Sequence, residues 1–281
     1  MIDYINLEVQ KKTIQHQFSN SKGVRHFVVD GFLQEGLVEK LSKLHDEIIV
    51  ASGKNPNTPK KHLHVAKKLG IHRTAMMAQL QQQFFREISN EKFLDFLKEV
   101  TSISPIYADP DLEGGGLHQI FTGGFLNVHT DFNFHPKNRN WQRKLNVLFY
   151  LNTGWEKEWK GNLEIYNEDV TKVITSIQPI ANRVVLFETS EISFHGHPEP
   201  LACPEDVTRK SMAAYYYTDW PAGLEHREKT NYKLVPWQKI AILEEIKKNQ
   251  TLGMQDDEIR NGLCTRYQLA SLRELVPNLF K

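Results

Sequence analysis

Two histidine-bearing segments carry the chemistry open to this sequence. The first, Phe125-Leu-Asn-Val-His129-Thr-Asp131, is a His-x-Asp on an apolar, β-type run. Side chains two apart on a strand leave the same face, so His129 and Asp131 can offer a nitrogen and an oxygen to one cation. The second is Ser193-Phe-His195-Gly-His197-Pro198. If a β fold brings the two together, a third ligand completes a two-histidine, one-carboxylate facial set with open positions, which suits non-haem Fe(II). His195 ends the run 192–194, whereas His197, between Gly196 and Pro198, reads as part of the outgoing turn. His195 is therefore the expected third ligand, with His197 as the alternative.

A third element is the anion partner. Arg209-Lys-Ser211 opens a tyrosine-rich run, and an arginine facing an apolar interior is costly unless an anion pairs with its planar fork. Ser211 shares its face. On the run from Arg143 to Asn152, residues Asn146, Leu148 and Tyr150 share another, which puts a phenol within reach of the same anion.

The elements that must position these groups follow from periodicity. Short β-type runs separated by Gly, Asn, Asp and Pro are expected at 117–121, 125–129, 144–151, 163–166, 172–177, 183–187, 192–195 and 209–218. Eight strands over about a hundred residues predict a sandwich or jelly roll. Ahead of it, 27–30 reads as a strand, Leu37, Leu41, Leu44 and Ile48 recur at helical spacing, and a helix is expected over 91–100 with Asn90 as its cap. The basic, proline-broken stretch 54–68 reads as a loop, and helix returns after Pro221, with an amphipathic piece at 237–248. The fold class is therefore a mainly β core with α+β character, with N-terminal helices packed on the barrel and a C-terminal helical extension. One integrated unit is expected, divided as 1–102, 103–220 and 221–281.

Composition narrows the partners. The 281 residues carry 35 basic and 34 acidic side chains and a net charge of +1 with histidine neutral, so no whole-protein field would recruit nucleic acid or anionic lipid. No apolar run approaches the ~18 residues of a membrane span. Two cysteines are too few for a disulfide framework and fit a cytoplasmic location.

The order of these residues resembles the Fe(II)- and 2-oxoglutarate-dependent dioxygenases, in the prolyl-4-hydroxylase-like branch, over residues 117–218. His129-Thr-Asp131, the segment from Arg143 through Gly161-Asn-Leu-Glu-Ile-Tyr166, and His195 followed by Arg209 and Tyr215-Tyr216 carry it. The resemblance implies a double-stranded β-helix, with His129, Asp131 and His195 as iron ligands, Arg209 on the distal carboxylate of 2-oxoglutarate, and Tyr150 and Ser211 beside it. It further implies Fe(II), 2-oxoglutarate and dioxygen as cofactor and cosubstrates, and release of succinate and carbon dioxide. The substrate expected is a peptidyl proline, an amino acid or a small metabolite. A carboxylate ligand at Asp131 favours hydroxylation over halogenation.

Two departures stand out. The interval 196–208 is long and holds three prolines, and Gln119 and Phe121 stand where many relatives have a tyrosine. Gln119, with His118 beside it, and Asn133, just past the ligand pair, are the candidates for substrate contact, and the stretches 54–68 and 133–141 are expected at the mouth. Two other functions are open: a non-catalytic metal- or sugar-binding jelly roll, and a zinc hydrolase, which would need Glu188 or Glu191 as general base.

Overall fold

The computed structural model describes residues 1–57, 64–267 and 269–280. Its elements run α1 (Tyr4–Asn20), β1 (His26–Asp30), α2 (Leu37–Ala51), β2 (Val65–Ile71), α3 (Gln79–Ile88), α4 (Glu91–Thr101), β3 (Tyr107–Ala108), β4 (Gly116–Thr130), β5 (Phe134–His135), β6 (Asn138–Tyr150), β7 (Leu163–Tyr166), β8 (Val173–Ile177), β9 (Arg183–Glu188), β10 (His195–His197), β11 (Arg209–Asp219), β12 (Asn231–Tyr232), α5 (Pro236–Thr251), α6 (Asp256–Cys264) and α7 (Leu269–Leu275). The strands form one curled antiparallel sheet in the order β1-β9-β6-β11-β4-β10-β7-β8, with β2 and β12 added on β4.

Strand alternation separates a structural face from a chemical one. On β6, Leu145, Val147 and Phe149 join the helices in the main core, while Asn146 and Leu148 look into the barrel. On β11, Met212, Ala214 and Tyr216 take the helix side and Arg209, Ser211 and Tyr215 the inside. The helices are seated by aromatic contacts: Phe84 of α3 lies 5.3 Å from Phe149, Phe93 of α4 lies 6.3 Å from Tyr216, and the Tyr216 hydroxyl donates to the Ile88 carbonyl at 2.8 Å. Helix α4 starts as expected, with the Asn90 side chain accepting from the Phe93 amide at 2.9 Å.

The two strands expected at 117–121 and 125–129 are one. β4 runs unbroken through Gly123-Gly124, where Gly123 has φ +75° and a Cβ on Gly124 would come within 2.6 Å of Ile120 Cγ2 and 2.9 Å of the Ala66 carbonyl. The glycine pair bends the strand instead of ending it. Its first half pairs with β11 and its second with β10, so one strand serves both walls of the barrel.

Two further expectations are corrected, and one element was not foreseen. The stretch 54–68 is not all loop: Val65 onward is strand β2, paired along β4, while 58–63, with Lys60, Lys61 and His62, lie outside the described residues. The strand expected at 192–195 begins only at His195, because Ser190 and Ser193 exchange hydrogen bonds that close a turn. Helix α1 was not foreseen; only Leu7, Ile14 and Phe18 of it are buried, and the exposed Ile5 and Val9 blur the helical period. The C-terminal helices pack on each other through Leu234, Ile242, Ile259 and Leu272. No helix among the described residues is long and apolar enough to cross a membrane.

Phe84 is fully buried between Phe85 and Phe149. Phe84→Ala is expected to cost about 3 to 5 kcal/mol, read as a lowered urea midpoint, without displacing the strands that carry the site.

Candidate metal centre and anion pocket

β4 and β10 bring the two histidine segments together. His129 and His195 face each other directly across the ladder, with ring centroids 4.5 Å apart. Asp131, just beyond the end of β4, sets one oxygen 3.5 Å from His129 Nε2 and the other 3.6 Å from His195 Nε2. The three ligand atoms lie within 4.8 Å of one another.

Hydrogen bonds fix which nitrogen of each ring is free. His129 Nδ1 lies 2.8 Å from the Asn127 carbonyl and His195 Nδ1 2.9 Å from that of Ser193. A carbonyl only accepts, so each Nδ1 carries a proton, and Nε2 is the nitrogen that each ring turns to the centre. Burial, reinforced by the neighbouring His129, lowers the His195 pKa to about 4, which keeps that ring neutral.

The carboxylate is held from behind by residues on β6. Asn146 Nδ2 donates to Asp131 Oδ2 at 2.8 Å, and Arg143 Nη2 lies 3.0 Å from the same oxygen. Arg143 is itself locked: its Nε donates to Asn146 Oδ1 at 2.9 Å, and its guanidinium lies over the Tyr215 ring at 3.4 Å. Burial alone would raise the Asp131 pKa; the Arg143 charge, together with His129 and His195, outweighs it and holds the group ionised well below the usual carboxylate range. Two imidazole nitrogens and one oriented carboxylate form a donor set that fits Fe(II).

A cavity of about 210 Å³ connects this cluster with Arg209. Arg209 is 4% exposed and has no carboxylate partner among the described residues. Its Nε donates to the Gly161 carbonyl at 2.7 Å and its Nη2 to the Tyr150 hydroxyl at 3.2 Å. Because Tyr150 accepts from the guanidinium, its own proton is free to donate elsewhere. Gly161 is required beneath this arginine, with φ +76° and a would-be Cβ only 3.1 Å from Arg209 Cδ. Ser211 lines the same cavity. A buried guanidinium with a hydroxyl at its side, and no carboxylate partner among the described residues, can receive a carboxylate.

Not every candidate reaches the cavity. Gln119 points outward, donating to Asp46 of α2 at 3.0 Å and to Thr208 at 2.8 Å, because strand parity turns His118 and Ile120 inward in its place. Asn133 is spent on structure: it donates to Glu191 and to the Glu225 carbonyl, both at 2.9 Å, and accepts from the Arg227 amide at 2.8 Å. It faces a separate cleft on the far side of Asp131. His197 lies on β10 and not in an outgoing turn, buried and outside the three-ligand cluster. The stretch 133–141 forms the β5–β6 hairpin, with Phe132 just ahead of it in the cavity wall.

Arg143 and Tyr232 were missed. Simple alternation from Leu145 puts Arg143 on the helix side, but the register slips between Tyr216 and Tyr217, leaving Lys144 as the extra residue and turning Arg143 inward. Tyr232 comes from the C-terminal segment, where β12 sets it opposite His129 with the rings 5.3 Å apart. A two-residue strand carries no period to read.

Residues 115–217 match the model of the 2OG-Fe(II) oxygenase superfamily. Over 129 residues the chain is 27% identical to a mouse protein, prolyl 3-hydroxylase OGFOD1, an alignment taking in 44% of this chain but only 22% of that protein. The structure from work on prolyl 4-hydroxylases of Phytophthora capsici superposes with a TM-score of 0.53 at 16% identity, covering 99% of this chain and 88% of that one, and so shares the fold. Over residues 115–217 the chain is thus similar to the 2OG-Fe(II) oxygenase superfamily, and the mouse relative it partly matches is by name a prolyl 3-hydroxylase.

Proposed function

We propose that this protein is a 2-oxoglutarate-dependent dioxygenase that hydroxylates a prolyl residue of a peptide or protein, on a double-stranded β-helix. The observation that carries the reading is that one cavity joins three converging ligand atoms to a buried arginine without a carboxylate partner among the described residues. His129, Asp131 and His195 would hold Fe(II), and Arg209, Tyr150 and Ser211 would take the far carboxylate of 2-oxoglutarate. Iron, cosubstrate and dioxygen together supply the oxidation that places one oxygen atom on a carbon and the other in succinate, with loss of carbon dioxide. The chain's own part is to hold its ligands neutral or ionised as needed, to fix the cosubstrate by its charged end, and to keep water away. Phe132, Tyr215 and Tyr232 line the cavity as aromatic walls, a surface suited to an apolar ring such as pyrrolidine. The prolyl substrate is carried over from the mouse relative's name.

The alternatives lose support in the same geometry. A zinc hydrolase needs a free general base, yet Glu188 is bound by Arg25 and Lys144, and Glu191 by Arg227 and Asn133. A passive binding module has no use for an unpaired buried arginine beside the ligands.

Anaerobic reconstitution with Fe(II) and 2-oxoglutarate, followed by oxygen and a panel of prolyl peptides, free amino acids and small metabolites, tests the proposal through succinate release. His129→Ala and Asp131→Ala are each expected to abolish succinate while leaving the unfolding midpoint within about 1 kcal/mol of wild type; normal turnover by either would exclude the iron site. Arg209→Ala is expected to weaken 2-oxoglutarate binding by roughly 30-fold to several thousand-fold, as a desolvated anion loses its partner, with metal affinity unchanged in the same titration. Arg143→Gln should lower metal affinity by about 10- to 100-fold, since Asp131 then loses the charge that orients it.

A further inference from the structure

His197 is unexplained by the ligand cluster. It stands two residues beyond His195 on β10, and a Cβ on the intervening Gly196 would sit 2.8 Å from the Leu126 carbonyl and 3.0 Å from that of Asn127. That close backbone approach fixes the outer face of the strand, so both rings go inward. His197 is 4% exposed, and neither Nδ1 nor Nε2 has a hydrogen-bond partner among the described residues. It lines the same cavity as Arg209 and Ser211. An apolar side chain would fill this place with no orphaned polar atoms, so the imidazole calls for a partner. An ionised carboxylate has about four acceptor sites. Arg209, Tyr150 and Ser211 account for three donors, and an imidazole carries at least one N–H in either charge state.

We propose that His197 is a cosubstrate-binding residue, donating a hydrogen bond to the far carboxylate of 2-oxoglutarate as a fourth donor beside Arg209, Tyr150 and Ser211. The inference rests on the function proposed above and adds a residue to it.

The test is calorimetric titration of 2-oxoglutarate into Mn(II)-loaded protein, with Mn(II) affinity measured separately. His197→Phe, which keeps a ring but no hydrogen-bonding atom, is expected to weaken 2-oxoglutarate binding roughly tenfold and to leave Mn(II) affinity unchanged. His197→Gln, which retains an N–H, should recover most of the loss, as a purely space-filling role would not allow. His197→Leu serves as the second apolar variant should the Phe variant fail to fold. Unchanged 2-oxoglutarate affinity in the apolar variant would overturn the proposal, and so would a parallel loss of Mn(II) affinity, which would place His197 with the metal. If wild-type protein binds Mn(II) but not 2-oxoglutarate, the function itself fails, and this assignment fails with it.

Discussion

The ion pair between Asp131 and the buried Arg143 is the constraint around which the rest of the site is arranged. At 3.0 Å and an effective dielectric near 20, their attraction is about 5 kcal/mol, comparable with the several kcal/mol each ion loses on leaving water. The pair therefore adds little net stability. Its value is positional: Arg143 and Asn146 occupy one side of the carboxylate and leave it facing the two imidazoles. Tyr215 in turn fixes the guanidinium from β11, so the orientation of the carboxylate is set from two strands, β6 and β11.

Much of this was legible in the sequence because strands write their faces into a period of two. His129 with Asp131, Arg209 with Ser211, and Asn146 with Leu148 and Tyr150 were readable as same-face sets, and the structure groups each as alternation predicts. What was not legible lies where alternation breaks. A bulge at Lys144 reversed Arg143, the Ser190–Ser193 turn moved the start of β10 and carried His197 into the strand, and Gln119 fell on the wrong side of its own strand by one residue. Asn133 was placed correctly along the chain, close to Asp131, but proximity in sequence does not reveal that its amide is already engaged with Glu191 and Glu225.

Glycine accounts for another part of the gap. Thr-Gly-Gly after Phe121 reads as punctuation between two strands, and in the fold it is a corner within one. The difference is physical: a turn reverses the chain, whereas a bent strand keeps its ladder on both sides of the bend. That continuity lets His118 and His129 sit on one element and line one cavity.

Tyr232 lies against His129 from a segment outside the matched residues, which end at 217. The barrel thus supplies every candidate ligand, and a separate stretch of chain supplies part of their enclosure. The two tasks are separable: a change at Tyr232 alters the cavity wall while His129, Asp131 and His195 keep their places on the barrel. A lineage could diversify in substrate by editing its C-terminal segment alone.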